Sequence, residues 1–366
     1  MRNIYLFLFI LPALVYLTGC SDDPASLGKE LFSGQGLKVE TMDIYANSAT
    51  TKFTPVPLGN ADYILVGKYS TDDTVEALTL LRFLPKIAGY QDNINIIDSA
   101  KILITQQYLY GESSAKFGIE ASPIKSSWSS STFTADSIGK ITDSNIITSH
   151  SLDTSLYSMV IDTAVIRTWL QDTLGTNNFG LLLKPSAVTN KIVGYANQPI
   201  LKIFGHKNGV AFDTSYITNM KTHIVCRNGG STPQKGISIR NGFISKSLLH
   251  FNISALPKNA IINNASLSIV PDSRYGSYDS SAVIVYNSSD SAAYTINDSA
   301  SATLLLKDSI YTANVQSLVY NKGNNINFIL RNTNYYNGVE RKNFFSTDAD
   351  STKRPLLKIY YSKRGN

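Results

Sequence analysis

The stretch from Gly242 to Ile269, GFISKSLLHFNISALPKNAIINNASLSI, constrains this chain more than any other, because a paler copy of it lies 165 to 168 residues earlier. From Phe243 to Ile253 every second residue (Phe243, Ser245, Ser247, Leu249, Phe251, Ile253) falls on one face, with Lys246, His250 and Asn252 on the other, where Leu248 joins them. A period of two is the signature of a strand with one wet face. The segment Ala255–Asn259 breaks the pattern at Pro257, since proline has no donor for a sheet ladder. Alternation then resumes at Ala265, Leu267 and Ile269. The stretch reads as strand, loop, strand.

Five blocks repeat in the same order. Leu80–Phe83 corresponds to Leu248–Phe251, and Asp98–Ile104 to Asn263–Ile269. Thr163–Leu170 answers Thr312–Val319, Asn177–Leu183 answers Asn324–Leu330, and Pro199–Ile203 answers Pro355–Ile359. In the third block Ile166, Trp169 and Leu170, like Val315, Leu318 and Val319, sit at i, i+3 and i+4. That spacing predicts one short helix per unit, with Asp162 or Thr163 as the first one's cap. A chain of 366 residues is long enough for two domains that each bury about 70% of their unfolded surface. The expected layout is a sandwich over 38–206 and a second over 207–366, the break falling where Gly205–Asn208 interrupts the strands.

The amino terminus carries its own signal. Arg2 precedes an apolar run from Ile4 to Leu17, too short to cross a bilayer and suited to the core of a signal peptide. Leu17-Thr18-Gly19-Cys20 resembles the lipobox of bacterial lipoproteins. The resemblance implies a signal peptide over 1–19, lipidation at Cys20, and a flexible tether over 20–37. Lipid chains at about 0.8 kcal/mol per buried methylene would give a stable membrane anchor. Ser21-Asp22-Asp23 behind the cysteine resembles the export signal of Bacteroidetes surface lipoproteins, which implies an outer-membrane protein facing the cell exterior. With Cys20 lipidated, Cys226 reads as a small buried hydrophobe on a strand.

Composition excludes some chemistry. Lys and Arg number 33 against 27 acidic residues, a net +6, yet no basic run exceeds Lys363-Arg364, so no nucleic-acid partner is expected. The histidines, His150, His206, His223 and His250, are scattered without a ligand spacing, so no metal or cofactor is expected and each reads as a surface or boundary residue. No nucleophile elbow or phosphate loop is present. Carboxylate pairs such as Asp272/Asp279 and Asp348/Asp350 lie among turn residues, and a glycan hydrolase is the least favoured reading.

The order of the blocks, together with Ser127-Trp128 and the Trp169 turn, resembles the DNRLRE-type domain, a carbohydrate-binding-module-like family. That resemblance implies an all-β chain of two tandem antiparallel jelly-roll sandwiches with one short helix each, and Trp128 and Trp169 in the core. It covers about Lys38 to Ser362; the second unit lacks both tryptophans and the literal DNRLRE motif is absent. Sugar rings stack on aromatic faces beside hydrogen-bonding groups. Two loops hold that mixture: Arg274, Tyr275 and Tyr278 in one, Arg331, Tyr335 and Tyr336 in the other, with Tyr108 and Tyr110 as a similar pair. The expected function is non-enzymatic binding of a polysaccharide or other envelope glycan. The alternative is a structural or adhesive scaffold that binds another surface protein.

Overall fold

The computed structural model describes residues 37–70, 74–141, 148–151, 156–172, 174–228, 237–275, 281–288, 296–320 and 323–364. Cys20 and Tyr278 lie outside them. The chain is an all-β sandwich fold, and its antiparallel strands appear in this order: β1 (Leu37–Tyr45), β2 (Ser48–Thr54), β3 (Tyr63–Ser70), β4 (Thr74–Arg82), β5 (Asn95–Tyr110), β6 (Gly118–Pro123), β7 (Thr148–Ser151) and β8 (Leu156–Ile161). After helix α1 (Thr163–Gln171) come β9 (Leu181–Pro185), β10 (Lys191–Ala196), β11 (Ile200–Lys207), β12 (Val210–Ile217) and β13 (Met220–Asn228). The remainder is β14 (Ile237–Arg240), β15 (Ile244–Asn252), β16 (Ile261–Ile269), β17 (Val283–Ser288), β18 (Ile296–Lys307), β19 (Ile310–Asn314), helix α2 (Gln316–Val319), β20 (Asn325–Asn332), β21 (Arg341–Phe344) and β22 (Leu356–Arg364).

The alternation read in Gly242–Ile269 is the burial pattern of β15 and β16. Ser245, Ser247, Leu249 and Phe251 point inward, as do Ala265, Leu267 and Ile269, while Lys246 and His250 are half-buried. Leu248 is buried on the outer face against Tyr286 and Ile329. The repeated blocks occupy equivalent places: β5 pairs with β11 and β8 as β16 pairs with β22 and β19, and β4 pairs with β9 as β15 pairs with β20. Each set encloses its own core, one around Phe83, Phe117 and Tyr195, the other around Phe251, Phe328 and Phe344. At roughly 1.5–3 kcal/mol for each fully buried large side chain, these two clusters dominate the stability of the fold.

Helix α1 begins where the sequence predicts, with the Asp162 carboxylate accepting from the Ala164 N–H at 2.8 Å. Its counterpart is shorter. Thr312 and Ala313 stay in strand β19, and only the single turn 316–319 is helical, with Asn314 accepting from the Gln316 N–H at 2.9 Å. The cross-strand ladder to β16 (Leu267 opposite Ala313) holds those residues extended. Trp128 and Trp169 are both buried, and the Trp128 indole donates to the Phe179 carbonyl at 2.8 Å.

The sheets do not divide at residues 206 and 207. That point lies inside a hairpin: Lys207 pairs with Val210 across Asn208-Gly209, both in the left-handed region, as a two-residue turn of this hand requires. Strands β12 and β13 therefore stay with the 63–207 strands, β12 beside β11 and β13 beside β4. Strands β1 and β2 join the distant 237–364 strands, β1 beside β22 and β2 beside β15. The two donated strand pairs occupy equivalent slots in the same register. Tyr45 faces Leu356 where Ile217 faces the equivalent Ile200, and Ser48 faces His250 where Met220 faces the equivalent Arg82. Every such match is separated by 172 residues (45 to 217, 48 to 220). Each strand pair thus completes the unit that it does not directly precede in sequence.

A third apolar cluster joins the two sets of strands. It combines Leu58, Leu65, Val75, Ala77, Ile192 and Val225 with Phe243 and Val339. Beside it the Asp62 N–H donates to Asn337 Oδ1 at 2.9 Å and the Val339 N–H donates to the Tyr108 hydroxyl at 3.2 Å.

Candidate functional site

Strand β20 ends at Asn332, whose buried side-chain amide donates to Asn241 Oδ1 at 2.8 Å and accepts from the buried Lys342 ammonium at 3.4 Å. The chain beyond is held at both ends. The Gly242 N–H donates to the Tyr335 carbonyl at 2.8 Å, Asn337 pairs with Asp62, and Gly338 takes a left-handed φ of 81°. Between these pins the loop presents Tyr335 and Tyr336. Their rings lie 4.1 Å apart at 34°, and the Tyr335 hydroxyl donates to that of Tyr336 at 2.5 Å.

Arg331 organises this surface. Its guanidinium carbon sits 5.0 Å from the Tyr335 ring centre and 5.2 Å from that of Tyr286, and one of its amino groups donates to the Tyr286 hydroxyl at 3.1 Å. Cation–π contacts of this kind contribute about 0.5–2 kcal/mol and fix the rings' orientation. Burial, then the hydrogen bond to Tyr336, push the Tyr335 hydroxyl up to about 12, against the opposing pull of Arg331. At neutral pH it is therefore a neutral hydrogen-bonding group and a poor nucleophile. The sequence-predicted residues Arg331, Tyr335 and Tyr336 thus form one cluster, with Tyr336 38% exposed.

The other predicted loop is built differently. Arg274 makes a two-pronged ion pair with Asp272, Nε to Oδ1 at 2.9 Å and an amino group to Oδ2 at 2.7 Å, and this hydrogen bonding holds the Asp272 carboxyl below the usual range. Arg274 also lies 5.1 Å from the Phe345 ring centre, which Lys353 approaches at 4.9 Å. Asp272 is buried and its guanidinium partner is largely exposed. Tyr275 closes a short 3-10 turn, Ser273–Tyr275, and its side chain lies outside the described residues.

Tyr108 and Tyr110 are not a loop pair. They belong to strand β5 and pack into the cluster that joins the two sets of strands, Tyr108 stacked on Tyr63 at 5.0 Å and 13°, and Tyr110 edge-on to Tyr69 at 5.1 Å. Burial and then the Glu340 carboxylate push the Tyr63 hydroxyl up to about 12 and raise that of Tyr108. No local signal marks Asn337 as the partner of Asp62, or Val339 and Glu340 as the neighbours of Tyr108, because these contacts join residues more than two hundred positions apart.

The expectation for the histidines needs one correction. His223 is fully buried on β13 opposite Thr79, and desolvation lowers its pKa to about 3. His206 pairs with Asp98 at 2.6 Å and His250 with Asn327 at 2.8 Å. Cys226 is half-buried on β13, with its thiol pushed up to about 11, first by burial and then by Glu76. Among the described residues no group of three or more His, Cys, Asp or Glu could hold a metal ion. Asp350 instead orders its own turn, accepting from the Thr352 N–H and hydroxyl at 2.9 and 2.7 Å. No family model and no curated protein matches the sequence.

Proposed function

We propose that the chain is a lipid-anchored cell-surface protein that binds a polysaccharide or another envelope glycan without chemical turnover, through the surface formed by Arg331, Tyr335 and Tyr336. The observation that carries this reading is one guanidinium set 5.0 and 5.2 Å from two tyrosine ring centres, beside an exposed third ring. Flat aromatic faces take the CH-lined faces of sugars, and neutral hydroxyls and a fixed guanidinium supply hydrogen bonds to the rim. A rigid platform also binds with less ordering entropy than a loop that must fold around its ligand. The membrane attachment rests on the lipobox-like Leu17–Cys20.

The test is a glycan array probed with the soluble Cys20→Ser chain, followed by titration calorimetry on any hit. Tyr335→Ala, Tyr336→Ala and Arg331→Ala should each weaken binding at least about tenfold if the rings carry the affinity, since stacking and charged hydrogen bonds contribute on the order of 1–3 kcal/mol. An array without hits, or hits that survive all three changes, would reject the reading. Capture of a single surface protein instead would favour the scaffold alternative.

A further inference from the structure

We propose that residues 237–364 form a strand-acceptor site, and that a second copy of this chain can fill it with its own residues 37–54, so that two copies assemble by exchanging strands β1 and β2. The acceptor needs this segment from somewhere. Without it the outer edges of β22 and β15 lose their hydrogen-bonding partners, and Ala46, Met42, Ile44 and Ala49 no longer cover the core around Phe251 and Phe328. Unpaired sheet edges next to an open apolar seam are templates for pairing with another chain.

The chain already completes the 237–364 strands with a segment that is remote in sequence, 37–54. Residues 38–54 and 210–226 are structural equivalents, yet 210–226 completes the set that it follows directly through the 207–210 hairpin, whereas 38–54 crosses to the distant one. The contacts that hold 37–54 within the β15 and β22 edges are identical whether the segment arrives from the same chain or from another. Effective concentration separates the two routes, together with the contacts of the joint itself, Leu58 in the shared cluster and Asp62 on Asn337. The joint that decides between them is 55–62, which contains Pro55 and Pro57. The prolines keep 55–57 extended, and the turn that follows is closed by the Ala61 N–H donating to the Leu58 carbonyl at 3.2 Å.

The acceptor is selective. Directly across from Glu40 stands Tyr361, whose hydroxyl donates to the Glu40 carboxylate at 2.8 Å, with Lys363 Nζ on the same carboxylate at 2.9 Å. In the other unit the equivalent pair is Phe212 and Gly205, and a Cβ on Gly205 would come within 2.7 Å of the Phe212 ring. A phenylalanine in the Glu40 place would meet the Tyr361 ring, where Phe212 has only a glycine across from it. Segment 210–226 therefore does not suit the 237–364 edge, and only there does Glu40 find Tyr361 and Lys363. Reciprocal donation closes a two-fold pair, as isologous exchange requires.

The experiment uses the full chain carrying Cys20→Ser and Cys226→Ser, with Glu40→Cys in one preparation and Tyr361→Cys in another. Cross-strand partners lie within disulfide reach. The two are mixed, unfolded, refolded together at high protein concentration and oxidised. Exchange predicts a covalent dimer about tenfold more abundant than in a Val39→Cys plus Tyr361→Cys mixture, where the exposed neighbouring position points to the opposite face and cannot meet disulfide geometry. A chain carrying both Glu40→Cys and Tyr361→Cys should form the bond internally on dilute refolding. If that chain closes its internal bond while the mixture stays monomeric, or if the Val39→Cys mixture dimerises equally, the proposal is overturned. Failure of the internal bond overturns it as well, because the pairing itself would then be absent.

Discussion

Glu40 and Tyr361, 321 positions apart, face each other across β1 and β22 and share a hydrogen bond of 2.8 Å. At the equivalent place in the other unit, Phe212 lies across from Gly205, whose missing side chain leaves room for the ring. One unit thus recognises its donated strand by a carboxylate on a phenol and a lysine, the other by a ring over a glycine. Gly205→Ala should destabilise the protein by about 1–3 kcal/mol or more, as overpacking does, because the added Cβ would also sit 2.2 Å from the Ile96 carbonyl oxygen. Glu40→Phe should lower the urea midpoint too, and combining it with Tyr361→Gly should restore part of that loss. A double-mutant cycle showing no coupling between positions 40 and 361 would contradict the fit argued for this pair.

The strand pairing also sets where the chain can be cut. Residues 56–228 contain both β12 and β13 and the whole set of strands they complete. This fragment should fold alone and give dispersed amide spectra, whereas 207–366 should remain unfolded or aggregated. Adding a peptide spanning 37–54 to residues 229–366 should produce a cooperative melt that neither shows separately. An independently folded 207–366 fragment with a sharp calorimetric transition would contradict this expectation.

His223 gives stability a pH dependence with a definite sign. Its folded pKa is lowered from 6.5 to about 3 by desolvation, so the unfolded chain binds a proton in the interval where the native one does not. Its contribution is therefore fully present above pH 6.5 and is lost progressively as pH falls from there towards 3. At pH 5 the protein should be less stable than at pH 7.5 by about 2 kcal/mol from this group, at 1.36 kcal/mol per unit. His223→Leu should flatten that part of the profile, which urea denaturation at several pH values will show.

Trp128 and Tyr336 separate core from surface. Trp128→Ala should cost about 3–5 kcal/mol, as large core truncations do, since its ring is 8% exposed and its indole N–H is bonded to Phe179. Tyr336→Ala should leave the melting temperature nearly unchanged, as surface substitutions usually do. In a glycan-binding titration the order should reverse, with Tyr336→Ala losing affinity and folded Trp128→Phe retaining it.

The amino-acid sequence by itself determined the strands of the repeated blocks and their faces, the Asp162 cap of the helix 163–171 and the order of those blocks. All of these follow from local periodicity and capping, which are written within a few residues. It also marked Arg331, Tyr335 and Tyr336 as companions, because they share one short loop after one strand. The break expected at Gly205–Asn208 falls instead on a hairpin, whose Asn208-Gly209 turn signal that reading passes over. Only the tertiary structure decided which strand completes which unit, that Tyr108 and Tyr110 seal a joint, and that His223 is buried without charge. The physical reason is that a two-residue period says which face of a strand is wet and nothing about its neighbour. Of two equivalent edges in one chain, the Asn208-Gly209 hairpin commits β12 to β11, and β1 reaches the other, where Glu40 meets Tyr361.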